Sequence, residues 1–270
     1  MAKRTSSLKG TKHTKDTKGK SGHAVVYIIG DSPLVEEYAR LCAGKGYAVT
    51  VHWNEPPKPT PKFDEDSIKI GKTIPSHASV GIELTIANKE HKQKNLVTLD
   101  KALAATAPLL CSSVTVTATE QATWVKGKHR LVGIGALPSF TKQSIVEIAP
   151  TVHTPKETVD VVLHFFQSLD KHVEIVQDRV GMVLPRILCQ LVNEAAFVVQ
   201  EDVASPQDVD TAMKLGTNYP KGPIEWGSAI GFQHVYAVLS AMENDLREDR
   251  YRISPLLKML SQTGEWWKKH

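Results

Sequence analysis

Cysteine is scarce in this chain of 270 residues: Cys42, Cys111 and Cys189 are far apart and odd in number. Such a set provides neither a disulfide framework nor a zinc site. Cys111 and Cys189 lie in apolar runs and read as small core residues, which fits a reducing cytoplasm. Long hydrophobic runs are missing too. No stretch approaches the ~20 apolar residues of a membrane span, and no apolar signal segment stands at the N-terminus. A membrane partner is not expected, and no internal repeat is visible.

What is present suffices for two packed domains, since 41% of the residues are hydrophobic. The formal charge of +4 comes from one end. Residues 1–22 carry seven basic side chains against Asp16, so the remainder is mildly acidic. A tail of Lys, Thr, Ser and Gly buries too little apolar surface to order itself. It reads as a solvated extension, with non-specific contact to nucleic acid as the alternative.

From residue 24 the pattern is that of a doubly wound α/β domain. An apolar, β-branched strand at 24–29 ends at Gly30, a helix follows at 34–45, and a second strand alternates over 48–52. The segment 54–79 holds Pro56, Pro57, Pro59 and Pro61 and reads as an extended break. Further strands are predicted at 80–86, 109–114, 131–134, 145–148 and 172–177. Helices are predicted at 88–105 and near 120–125. Thr154 to Glu157 reads as a capping box opening a helix over 155–169. Beyond Asp178 the pattern is helical: 186–202 with a wide apolar face, a helix from Ser205-Pro206 stopped by Gly216, then 231–246 and 254–260.

One segment is specific. Asp178 to Gly231 reads DRVGMVLPRILCQLVNEAAFVVQEDVASPQDVDTAMKLGTNYPKGPIEWGSAIG. The order of a helix around Asn193 and Glu194, a Ser-Pro helix start, then Gly216-Thr-Asn-Tyr-Pro-Lys-Gly-Pro-Ile-Glu225 resembles the C-terminal domain of 3-hydroxyacyl-CoA dehydrogenases. The resemblance extends over about 24–264. It implies a Rossmann-type N-terminal domain at 23–178 and an all-α C-terminal dimerisation domain at 179–270, after the tail. It also implies NAD as cofactor, an acyl-CoA substrate and a homodimer.

The chemistry is less well kept than the scaffold. A dinucleotide turn needs glycines for a tight turn, close approach of the pyrophosphate and helix–strand packing. Here Gly30 fills the first place, while Ser32 and Val35 fill the others. Asp31 adds negative charge, and Pro33 removes an anion-binding N–H. The ribose-binding acid is absent at Trp53, with Asn54 and Glu55 just beyond; Gly30, Ser32, Asn54, Glu55 and Lys92 are the candidate cofactor-binding residues.

In the family a histidine takes the proton of the substrate 3-hydroxyl while hydride leaves for NAD. A glutamate twelve residues later orients that histidine, and a serine and an asparagine complete the pocket. The matching positions here are Gly135 for the histidine, Glu147 for the glutamate, Pro185 for the asparagine, and Thr115 or Ser113 for the serine. Glu147 then orients nothing, or pairs with a lysine. His129 and His153 are alternative bases or plain surface residues. The family strand motif E-A-V-x-E becomes Glu83 to Ala87, losing its second acid. Three readings follow: a dehydrogenase with a rebuilt or failing site, a non-catalytic acyl-CoA-binding or regulatory homodimer, and a tail-driven nucleic-acid contact.

Overall fold

In the computed structural model, which describes residues 24–264, the doubly wound domain is built on eight strands. They are β1 (Val25–Gly30), β2 (Ala48–Trp53), β3 (Ile68–Ile70), β4 (Val80–Leu84), β5 (Leu109–Ser112), β6 (Leu131–Ile134), β7 (Ile145–Pro150) and β8 (His172–Ile175). Their spatial order is β3-β2-β1-β4-β5-β6-β7-β8. All pairs are parallel except β6 with β7, which is antiparallel. The strand order reverses between β1 and β4. A crevice therefore opens at their carboxyl ends, the usual ligand position of such sheets.

Helices α1 (Leu34–Ala43), α2 (Lys89–Ala102), α3 (Ala118–Ala122) and α4 (Lys156–Ser168) accompany the sheet. Apolar side chains from both faces of the strands are buried. Ile28, Val51, Ile82 and Leu84 belong to a core shared with α1, α4 and the C-terminal helices. Tyr27, Leu109, Cys111 and Leu131 pack under α2 and α3. All three cysteines are free and buried, and burial pushes the Cys42 and Cys111 thiols up to about 12. They are packing residues, as expected.

The C-terminal part is α5 (Leu184–Gln200), α6 (Pro206–Thr217), α7 (Pro223–Ile230), α8 (Phe232–Leu246) and α9 (Pro255–Thr263). No helix among the described residues is long and apolar enough to cross a membrane. The basic tail, residues 1–22, lies outside the described residues.

Several local expectations are corrected. The proline-rich break contains β3, which pairs with β2 through Val49, Thr50 and Val51. Thr154 caps nothing: its hydroxyl bonds the Leu131 carbonyl at 2.9 Å and the helix begins at Lys156 without a side-chain cap. Helix α3 starts earlier than predicted, because Thr117 caps it and Asp178 accepts from the Ala118 and Thr119 N–H groups at 2.8 and 2.7 Å. Gly216 stays helical, and Asn218 in the left-handed region ends α6. Helix α7 was not predicted. Asp210 accepts from its Ile224 and Glu225 N–H groups at 2.8 and 3.1 Å, and a Cβ on Gly222 would overlap the Asp210 carboxylate.

Candidate active site

The crevice is bounded by the turn that leaves β1. Gly30 has φ +152°, and a Cβ there would lie 2.5 Å from the Leu84 carbonyl carbon. This glycine serves the close approach of β1 and β4. Its neighbours serve a network within the protein. Asn54 donates to Asp31 Oδ1 at 2.7 Å and to Thr85 Oγ1 at 2.8 Å. The Ile86 N–H reaches Asp31 Oδ2 at 3.2 Å. Asn95 donates to Asn54 Oδ1 at 2.9 Å and to Thr85 Oγ1 at 3.2 Å. The Thr85 N–H bonds Glu83 Oε1 at 2.9 Å.

The network ends in an ion pair. Lys92 Nζ lies 2.6 Å from Glu83 Oε2 and 2.9 Å from the Ser112 carbonyl, and both charged side chains are fully buried. Lys92 is therefore directed into the protein, not toward a cofactor. Charges buried this way hold only when paired and hydrogen-bonded. Glu55 is exposed. Ser32 donates to Glu36 Oε1 at 2.8 Å, across the turn where a phosphate would approach. With Pro33 before α1, a buried Glu36 in its first turn and Asp31 beside it, the turn carries like charge where a diphosphate needs N–H donors. Its residues do not fit a dinucleotide.

The second half of the site lies between β6, β7 and α5. Gly135 donates its N–H to the Glu147 carbonyl at 3.0 Å. A Cβ on Gly135 would meet Glu147 Oε2 at 3.4 Å and Met182 Sδ at 3.5 Å, so the base position and its orienter are adjacent in space. Glu147 has another task. Its oxygens accept from the Val183 N–H at 3.0 Å and the Leu184 N–H at 2.6 Å, the unpaired donors at the start of α5. The expected lysine partner is replaced by a helix terminus. Pro185 sits in the first turn of that helix and is buried.

The hydroxyl candidates also face inward. Thr115 donates to the Ile86 carbonyl at 2.6 Å. Ser113 is buried, donates to the Cys111 carbonyl at 3.3 Å and lies 3.2 Å from Gln121 Nε2. His129 and His153 are both exposed. They flank the start of β6 and the end of β7, at the amino edge of the parallel strands and away from the crevice. Neither lies among the side chains nearest Gly135.

Sequence reasoning passed over a buried imidazole on the helical part of the chain. His234, on α8, is 8% exposed, and among the described residues neither ring nitrogen has a hydrogen-bond partner. Burial lowers its pKa, against the opposing influence of the Asp31 charge. The only signal in the sequence was a histidine on the apolar side of an amphipathic helix, which reads as core.

Comparison with known proteins agrees with this architecture. Residues 67–179 match the 3-hydroxyacyl-CoA dehydrogenase NAD binding domain and residues 181–270 match the C-terminal domain of the same enzymes. The first match begins after β1, α1 and β2. The chain is similar to a probable 3-hydroxybutyryl-CoA dehydrogenase of Bacillus subtilis (strain 168), 29% identical over 75% of this chain and 71% of the relative. It is 37% identical to a 3-hydroxyadipyl-CoA dehydrogenase of Escherichia coli (strain K12), over 42% of this chain and 24% of that longer protein. Among solved structures, an (S)-3-hydroxybutyryl-CoA dehydrogenase of Ralstonia eutropha shares the fold, with TM-score 0.74, 23% identity and coverage of 90% and 94% of the two chains. By both of its domains, and with NAD-linked oxidation of 3-hydroxyacyl-CoA as its ancestral function, the chain belongs to the 3-hydroxyacyl-CoA dehydrogenase family.

Proposed function

We propose that this protein keeps the dehydrogenase scaffold while its oxidation of 3-hydroxyacyl-CoA is weak or lost. The observation that carries the reading is the engagement of Glu147 by the Val183 and Leu184 N–H groups beside a glycine in place of the base. The carbon bearing the hydroxyl cannot give up hydride to form a carbonyl unless the hydroxyl gives up its proton, and Gly135 has no group to take that proton. Losing a general base costs about 10²–10⁴-fold in rate. On the cofactor side, Asp31 and Glu36 repel a diphosphate, and Asn54, Asn95 and Thr85 bond one another across the crevice.

The test is direct. Calorimetric titration with NADH should give no binding at micromolar Kd, and oxidation of 3-hydroxybutyryl-CoA should stay at background. Turnover of roughly 1 s⁻¹ or faster, an ordinary enzymatic rate, would overturn the reading.

A non-catalytic, acyl-CoA-binding or regulatory homodimer is the second reading. It is favoured by apolar side chains left at the surface of the helical domain and its connections: Val183 at 47% exposure, Ile187 at 52%, Val203 at 71% and Leu215 at 83%. Patches of this kind mark association surfaces, and a twofold pairing through α5 and α6 would cover them. A reducing cytoplasm suits the three free thiols.

A further inference from the structure

A cavity of about 440 Å³ lies at the amino ends of β5 and β6, the opposite edge of the sheet from the crevice. It forms where the last turn of α2 meets the loop 124–130. A buried ion pair frames it. Arg130 is 3% exposed and donates from Nη2 to Asp100 Oδ1 at 2.8 Å and to the Asp100 carbonyl at 2.6 Å. Its Nη1 reaches the Ala104 carbonyl at 2.6 Å. The Lys126 and Gly127 N–H groups close on the same carboxylate at 2.8 and 3.2 Å. Paired and hydrogen-bonded in this way, the two charges offset each other and fasten the loop to α2. Gly127 permits that approach, since a Cβ there would lie 2.6 Å from both Asp100 Oδ1 and Arg130 Nε. The wall is thus held in place before any ligand arrives, which lowers the cost of binding.

The remaining charge is unbalanced. Asp100 is the one carboxylate among the residues that line the cavity, and its oxygens are spent on the donors just named. Lys101 and Lys126 line the same space, and no ion pair among the described residues reaches either of them. The apolar part of the wall comes from Val97, Leu103 and Trp124, whose ring packs partly buried against the core under α2. Apolar walls with a few polar groups at one side are the usual form of a small-molecule site.

We infer that this cavity binds a small aromatic carboxylate, its ring against Trp124, Val97 and Leu103 and its carboxylate facing the ammonium groups of Lys101 and Lys126. Aromatic rings pack favourably on one another, and hydrogen bonds between full charges are the strong ones. An inorganic anion would leave the apolar wall uncovered, and a neutral ring would leave both lysines unpaired. None of these residues belongs to the crevice or to the positions around Gly135, so the inference is independent of whether oxidation is lost.

The experiment is a ligand-observed NMR titration of the full chain at neutral pH and low salt, with naphthoate as probe. Naphthamide serves as the neutral control and acetate as the control without a ring. Naphthoate is expected to bind with Kd of roughly 1 mM or tighter, and each control about 5-fold more weakly or worse. Lys101→Gln combined with Lys126→Gln should weaken naphthoate by about 10-fold, the loss of two exposed charge contacts. Trp124→Ala should weaken it by a similar factor, and circular dichroism checks that each variant is folded. If Trp124→Ala disturbs the core under α2, the lysine variant decides, because both lysines are exposed and their replacement leaves that core intact. Absence of naphthoate binding to folded protein overturns the inference. So does equal affinity in the lysine variant and the parent chain, or equal affinity of the parent chain for naphthoate and naphthamide.

Discussion

At the scale of single residues, the positions that the resemblance matches to the family's catalytic residues make contacts within the fold. Glu147 illustrates the change: a carboxylate whose family role is to orient an imidazole here bonds two backbone donors. Glu147→Ala should lower stability by about 1–3 kcal/mol, the cost of leaving buried donors unpaired. Glu147→Gln, which keeps an acceptor, should cost less; urea denaturation of both variants measures the difference. His234 gives a pH prediction. Burial depresses its folded pKa below the ordinary value of 6.5, so the unfolded chain takes up a proton that the native state resists. Its contribution to stability is complete above pH 6.5 and falls as the pH drops below it. The thermal midpoint of the parent chain, followed from neutral pH downward, should fall more steeply below pH 6.5 than that of His234→Leu. Parallel curves would show that this imidazole does not titrate with unfolding.

At the scale of elements, three helices begin on a carboxylate distant in the chain: Asp178 for α3, Glu147 for α5 and Asp210 for α7. This explains which parts of the fold were legible. The strands were readable because each is a continuous or alternating apolar run whose pattern is local, as in 24–29 and 131–134. Helix starts were readable where the cap is local, as at Asn88 and Ser205. They were misplaced where the cap comes from afar, and Thr154 misled because its hydroxyl serves β6 instead. Strand β3 escaped because three residues among prolines carry no periodicity. Asp210→Ala should cost about 1–3 kcal/mol by urea denaturation, since the Ile224 and Glu225 donors lose their shared acceptor. Gly222→Ala should be more damaging, because its Cβ has no room beside the same carboxylate.

At the scale of the whole molecule, the missing glycines and the missing histidine were visible in the sequence, but what replaced them was not. The polar network from Asp31 through Asn54 and Asn95 to Lys92 joins residues just past β1 and β2 with residues of β4 and α2, and only the folded sheet brings them together. It sets the terms for any attempt to build a glycine-rich turn and a histidine into these positions. Gly135→His has room to be accepted with modest adjustment, since its Cβ would meet Glu147 and Met182 at 3.3–3.5 Å. The new imidazole would then compete for a carboxylate that already terminates α5. Gly135→His with Pro185→Asn is therefore expected to give folded protein and little turnover of 3-hydroxybutyryl-CoA. A gain should appear only when Asp31, Ser32, Pro33 and Val35 are also rebuilt toward G-x-G-x-x-G, because a base without a bound hydride acceptor completes no oxidation. Coupled assays on the two-site and six-site variants, with NADH affinity measured on each, separate the two losses. Substantial turnover from the two-site variant alone would mean that this turn still admits the dinucleotide, and that the base was the only part of the enzyme to disappear.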